Sequence, residues 1–156
     1  MGNLKLESYD FSHDGEIPRK CGYKNGNKKP ELSVSEIPEG TESLALIMDD
    51  PDAMGAVGKV WVHWVVWNIN SNTAAMGNNA QNGTEGMTDF GEDGYGGPAP
   101  PDKRHTYVFK LYALDSELDL PGKSTKADVE KAMEGHIIEQ TPVSYTHLTL
   151  PTILLV

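Results

Sequence analysis

The sequence predicts a mainly β protein, a β-sandwich with one or two short helices near the C-terminus. Three observations carry this. Apolar and polar residues alternate over stretches of strand length, at residues 4–11, 31–35 and 104–114. Sixteen Gly and ten Pro among 156 residues punctuate the chain and favour short strands and turns over long helices. A helix signal comes late, at residues 125–133.

In chain order, residues 4–11 set Leu4, Leu6 and Ser8 against Lys5, Glu7 and Tyr9, a first strand, and His13-Asp14-Gly15 turns it. Residues 17–23 read as a short edge strand, because Pro18 suits an edge. Asn25-Gly26-Asn27 marks a turn, residues 31–35 another strand, and Pro38-Glu39-Gly40 a tight turn.

Residues 43–68 organise the rest: two apolar runs, 44–48 and 60–67, joined by a polar connection that contains Gly. Strand alternation puts Leu44, Leu46, Met48 and Asp50 on one face, and Trp61, His63, Val65 and Trp67 on another. A carboxylate and an imidazole each prolong an apolar face, and buried polar groups need partners.

Residues 68–94 lack apolar periodicity and read as a long loop; loops of that length are usually functional or mobile. A Gly/Pro corner follows at residues 94–101. In residues 104–114, His105, Tyr107, Phe109, Leu111 and Ala113 share a face. Thr125 with Asp128 approximates a capping box, Gly135 stops the helix, and Ile137-Ile138 read as a further helical turn. Residues 1–141 thus form one domain. Residues 142–156 carry no Lys, Arg, Asp or Glu and read as a non-native apolar tail, the alternative being a terminal strand docked on a sheet.

The formal net charge of −10, with scattered cations, disfavours nucleic acid and stable membrane association. Cys21 is the only cysteine, so no internal disulfide forms, which suits a reducing cytoplasm. No secretory signal and no bilayer-length apolar run is visible, and a cytoplasmic protein is expected.

The chemistry-bearing residues are Asp50, Asp52, His63, His105 and Tyr107, all near strand ends. A carboxylate on one imidazole nitrogen fixes the tautomer, and the other nitrogen is expected to aim an N–H at an anion. Tyr107 adds an O–H donor, Trp61 a wall, and Gly94 to Gly97 allow close backbone approach. Together they read as a small pocket for phosphate or carboxylate, with affinity rising as pH falls through the imidazole range, about 6.5. The blander reading is that these side chains only satisfy neighbouring backbone. A divalent-metal hydrolase is a further alternative, but no compact H-x-x-x-H or C-x-x-C spacing supports a metal site. No G-x-S-x-G elbow or P-loop is present, and neither enzymatic activity nor a cofactor is expected.

At these residues the chain resembles the phosphatidylethanolamine-binding protein family, which includes Raf kinase inhibitor protein, and most of all its bacterial and archaeal branch. The matching pieces are Asp50-Pro51-Asp52-Ala53, Val62-His63-Trp64 with Asn68, Gly94-Tyr95-Gly96-Gly97-Pro98 through Pro101, and His105-Thr106-Tyr107 running into Leu111-Tyr112-Ala113-Leu114. Pro38-Glu39-Gly40-Thr41 with residues 43–46 also fits, and the likeness covers roughly residues 4–140. The resemblance implies a two-sheet antiparallel β-sandwich with a small anion pocket that takes phosphate or phosphorylated head groups. It makes Asp50, Asp52, His63, His105 and Tyr107 pocket residues, with Trp61, Gly97 and Pro98 as walls. It also implies a homodimer, and a protease or kinase partner inhibited through a surface loop, for which residues 70–93 are the candidate. Met54 departs from the family's D-P-D-A-P pattern, and the long C-terminal helix of eukaryotic members is absent.

Overall fold

The computed structural model describes residues 3–8, 11, 15–24, 26–72, 75–76, 83–99, 105–141 and 144–148. In chain order the elements are β1 (Lys5–Ser8), β2 (Leu32–Ser35), β3 (Ser43–Asp50), α1 (Ala53–Val57), β4 (Trp61–Asn70), β5 (Ala75–Met76), β6 (Thr84–Glu85), β7 (His105–Leu114), α2 (Lys126–Met133), β8 (Ile137–Gln140) and β9 (Ser144–Leu148). A three-stranded sheet runs β1-β2-β5 and a six-stranded sheet β6-β4-β3-β7-β8, with β9 also beside β7. Every strand pairing is antiparallel. The predicted mainly β, two-sheet sandwich is the fold observed.

Alternation along β3 explains the layering. Leu44, Leu46 and Met48 face a core shared with Leu4, Leu32 and Val34 of the small sheet and with Tyr107, Phe109 and Leu111 of β7. The intervening Ala45 and Ile47 face a second core with Val65, Trp67, Tyr112 and Leu114, covered by Val129 and Met133 of α2. Burying side chains of this size contributes roughly 1.5–3 kcal/mol each. The helix starts as expected: Thr125 accepts from the Asp128 amide and Asp128 from the Thr125 amide.

β4 obeys a different rhythm. Met48 pairs with Trp64 and Asp49 with Val62, so His63 is the extra residue of a bulge. A second shift lies between Leu44 and Leu46, opposite Asn68, which adopts a left-handed φ of 54°. Asn tolerates that conformation, and its side-chain amide exchanges two hydrogen bonds with the Leu118 backbone, at 2.9 and 2.7 Å. The bulges separate residues that plain alternation would keep together. Val62 packs with Val65 and Trp67 on the α2 side rather than with Trp64, and Ile69 joins Trp64 and Val66 in the inter-sheet core rather than Val65 and Trp67.

Several expectations are corrected. Residues 17–23 are not an edge strand: Arg19–Cys21 form a 3-10 turn closed by the Cys21 amide on the Pro18 carbonyl. The connection after β3 contains the short helix α1, ended by Gly58 with φ 77°. Ile137-Ile138 begin β8 rather than a helical turn, because Gly135, at φ 80°, has already turned the chain back towards β7. Ser144–Leu148, inside the stretch read as a tail, pair with His105–Phe109, as the docked-strand alternative has it. Within the long loop, Ala75–Met76 and Thr84–Glu85 join opposite sheets. No helix among the described residues is long and apolar enough to cross a membrane.

Candidate functional site

β3 and β7 run side by side, and their inter-sheet faces end in Asp50 and His105, both nearly inaccessible. The Nδ1 of His105 lies 2.6 Å from Asp50 Oδ2. The other carboxylate oxygen, Oδ1, accepts the Asp52 amide at 2.9 Å. Burial pushes the Asp50 carboxyl above its ordinary pKa, although the bonds from His105 and Asp52 pull it back down. The pair is a carboxylate–imidazole couple held at a strand end.

His63 reaches the same place through its bulge. Its Nδ1 is 2.6 Å from the carbonyl oxygen of Gly96, and the Gly96 amide donates back to the His63 carbonyl at 2.8 Å. A carbonyl can only accept, so Nδ1 carries the hydrogen. Burial pushes the His63 pKa down to about 4, against the smaller opposing pull of the Gly96 and Gly97 carbonyls and of Asp49 and Asp89. His63 is therefore neutral at physiological pH. Neutral and bonded in this way, it presents a lone pair at Nε2, not the N–H that a phosphate-donor role requires, and it does not titrate near 6.5.

Asp50, His63 and His105 meet at a hollow of about 120 Å³, completed by Ala53, Ala56 and Val57 of α1, Trp61, Phe90 and Ala99. That volume corresponds to roughly four water molecules. Apart from the three polar residues the lining among the described residues is apolar or aromatic; Lys103 and Arg104, which precede His105, lie outside the described residues. Both rings pack near Tyr107, with centroids 5.3 Å away for His63 and 6.4 Å for His105.

The expected residues divide into three groups. Asp50, Trp61, His63 and His105 line the hollow. Asp52 does not: it is exposed, and its Oδ2 accepts the Thr106 amide at 2.8 Å, tying α1's leading edge to β7. Tyr107, Gly97 and Pro98 are also absent from the lining. Tyr107 is fully buried behind the two imidazoles. Gly97 does allow a close approach, but by the chain itself: a Cβ there would overlap the Cys21 carbonyl, and its amide donates to Asn27 Oδ1 at 2.7 Å. The Pro98 carbonyl accepts the Tyr23 amide at 2.9 Å.

Phe90 was not foreseen. Its ring stands edge-on to His63 and to Trp61, each at 5.5 Å, and stacks on Tyr23 at 4.0 Å. The neighbouring Asp89 fixes it in place, accepting the Val62 amide and the Lys59 ammonium, both at 2.8 Å. Part of the segment read as an inhibitory loop, residues 70–93, is thus a wall of the hollow; residues 73–74 and 77–82 lie outside the described residues. No group of three or more metal-ligating side chains occurs among the described residues.

The family model for the phosphatidylethanolamine-binding protein matches residues 7–147. A UPF0098 protein of Methanothermobacter thermautotrophicus is 40% identical over 142 residues, 86% of this chain and 92% of the relative. Another, from Chlamydia muridarum, is 37% identical over 147 residues, covering 92% and 98%. Among solved structures, the phosphatidylethanolamine-binding protein homolog CT736 of Chlamydia trachomatis has a TM-score of 0.89 at 33% identity, over 97% of this chain and all of that one. Escherichia coli YbcL has a TM-score of 0.85 at 26% identity, over 96% and 100%. With the sandwich and its site described, these matches show that the chain belongs to the phosphatidylethanolamine-binding protein family.

Proposed function

We propose that the hollow binds a small phosphorylated or carboxylated acid, and that the protein acts as a binding protein rather than an enzyme. The observation that carries this reading is the convergence of His63 and the Asp50–His105 couple on one apolar-walled space of about 120 Å³. Buried polar groups at a hollow that size are poised for one small polar guest, and the apolar walls raise the worth of each hydrogen bond to it. Among the described residues no nucleophile with an adjacent base lines the space, which favours binding over group transfer.

Titration calorimetry of phosphate and acetate into the wild-type protein and the His63→Ala, His105→Ala double variant tests the reading. Saturable one-to-one binding should be abolished in the double variant. Unchanged affinity there would remove the site from consideration.

A further inference from the structure

We infer that the loop of residues 19–29 is a docking surface for a short acidic segment of a partner protein. The inference stands apart from the hollow and from the acid proposed to fill it.

It begins with charge. The cations are less scattered than the composition suggests. Arg19, Lys20, Lys24, Lys28 and Lys29 fall within one stretch, residues 19–29, that holds no Asp or Glu. Outside that stretch the chain carries a net charge of −15.

The fold then gathers the lysines. The Lys28 amide donates to the Lys20 carbonyl at 2.9 Å, which sets these two residues side by side. Lys24 lies in the turn between them, and Lys20, Lys24 and Lys28 are all exposed. Lys29 is spent inside the fold, paired with Glu85 at 3.0 Å and lying over the Trp64 ring. Lys24 and Lys28 pair with no carboxylate among the described residues. Glu85 and Glu92 both reach the loop, but Glu85 takes Lys29 and Glu92 accepts the Tyr23 hydroxyl at 3.0 Å.

The loop is firmly mounted. Asn27, at a left-handed φ of 51°, donates its side-chain amide to the Tyr95 carbonyl at 3.0 Å and accepts the Gly97 amide at 2.7 Å. Tyr23 donates its backbone amide to Pro98 and stacks its ring on Phe90. Like charges held opposite one another repel. Because the backbone is fixed against that repulsion, an incoming anion gains the attraction of several ammonium groups without having to order the loop.

The surrounding charge selects the form of the partner. At physiological salt, exposed charges act over about 8 Å. A nucleic-acid duplex or an anionic bilayer extends well beyond the loop and meets the −15 carried by the rest of the chain. A run of a few Asp and Glu side chains can touch the loop alone.

Fluorescence anisotropy of a fluorescein-labelled octa-glutamate peptide tests the assignment, with octa-glutamine as the uncharged control. Two triple variants lose the same formal charge. One carries Lys20→Ser, Lys24→Ser and Lys28→Ser in the loop, the other Lys5→Ser, Lys123→Ser and Lys131→Ser at exposed positions outside it. Wild type should bind octa-glutamate and not octa-glutamine, more weakly as salt rises. The loop variant should lose at least about tenfold in affinity, the scale of three exposed ion pairs, and the outer variant less than about twofold. Lys24→Glu alone, at an exposed turn, should weaken binding several-fold with an unchanged urea midpoint, which separates the effect from any change in folding. Equal losses in the two triple variants, or no binding of octa-glutamate by wild type, would overturn the inference. Phosphatidylserine vesicles or duplex DNA binding more tightly than octa-glutamate through the same three lysines would overturn the choice of a protein segment.

Discussion

Asp49 and Asp50 are chain neighbours, each 3% exposed, yet β3 sends them to opposite faces with opposite consequences. Asp49 faces α2 and meets a full charge, the Lys126 ammonium at 2.7 Å. Asp50 faces the hollow and, among the described residues, meets an imidazole and one backbone amide. The first carboxylate ties a helix to a sheet. The second is left partly uncompensated, and burial pushes its pKa up. A buried charge with a permanent counter-charge serves the fold, whereas one balanced by a titratable ring stays available to a guest.

Four substitutions sharpen or break that contrast. The largest effect belongs to His63, on the hollow's side. Its folded pKa, about 4, lies below the ordinary 6.5, so the unfolded chain binds more protons between those values. Stability is full above pH 6.5 and falls as pH drops towards 4, by about 3 kcal/mol. Urea unfolding at pH 4.5 and 7 should show this dependence in wild type and a weaker one in His63→Gln.

Next comes Asp49→Asn, which strands the Lys126 ammonium and should destabilise by about 2–3 kcal/mol while leaving acid binding intact. Urea midpoints and a single titration check both halves. Thr125→Ala removes the cap that starts α2 beside Lys126 and should cost about 1 kcal/mol in the same assay. The smallest stability change belongs to Asp50→Asn. A raised folded pKa means that the ionised form costs stability, and that cost grows as pH rises through the range between the ordinary and raised values. Removing the charge should change stability at pH 7 by less than about 1 kcal/mol, yet acid affinity should fall about tenfold as His105 loses its anchor. If Asp50→Asn destabilises more than Asp49→Asn, the contrast is wrong.

β3 and β7 were legible because both keep strict alternation through the stretch that matters: Leu44 to Asp50, and His105 to Ala113. Two polar residues at the ends of apolar faces marked the site. β4 was misread where alternation breaks. A bulge leaves no mark in composition, so His63 was grouped with Val65 and Trp67, which face α2. α1 is five residues long, too short for helical periodicity to show. Phe90 is an isolated aromatic in a segment without pattern, and its role depends on Asp89 reaching Val62, a contact 27 residues apart. The Gly corner was correct in kind, but what approaches Gly97 is the Cys21 carbonyl. The direction of the hydrogen at His63 was beyond sequence, since it depends on which carbonyl the ring meets.

The most direct measurement is ¹⁵N NMR of the imidazole nitrogens, free and with saturating phenyl phosphate. The free His63 ring should be the Nδ1–H tautomer at pH 7, with its Nε2 resonance moving on addition of the ester. His136, exposed and paired with Asp115 at 2.8 Å, should stay still. A free ring already protonated at Nε2, or an ester that leaves His63 and His105 unmoved while binding elsewhere, would contradict the account.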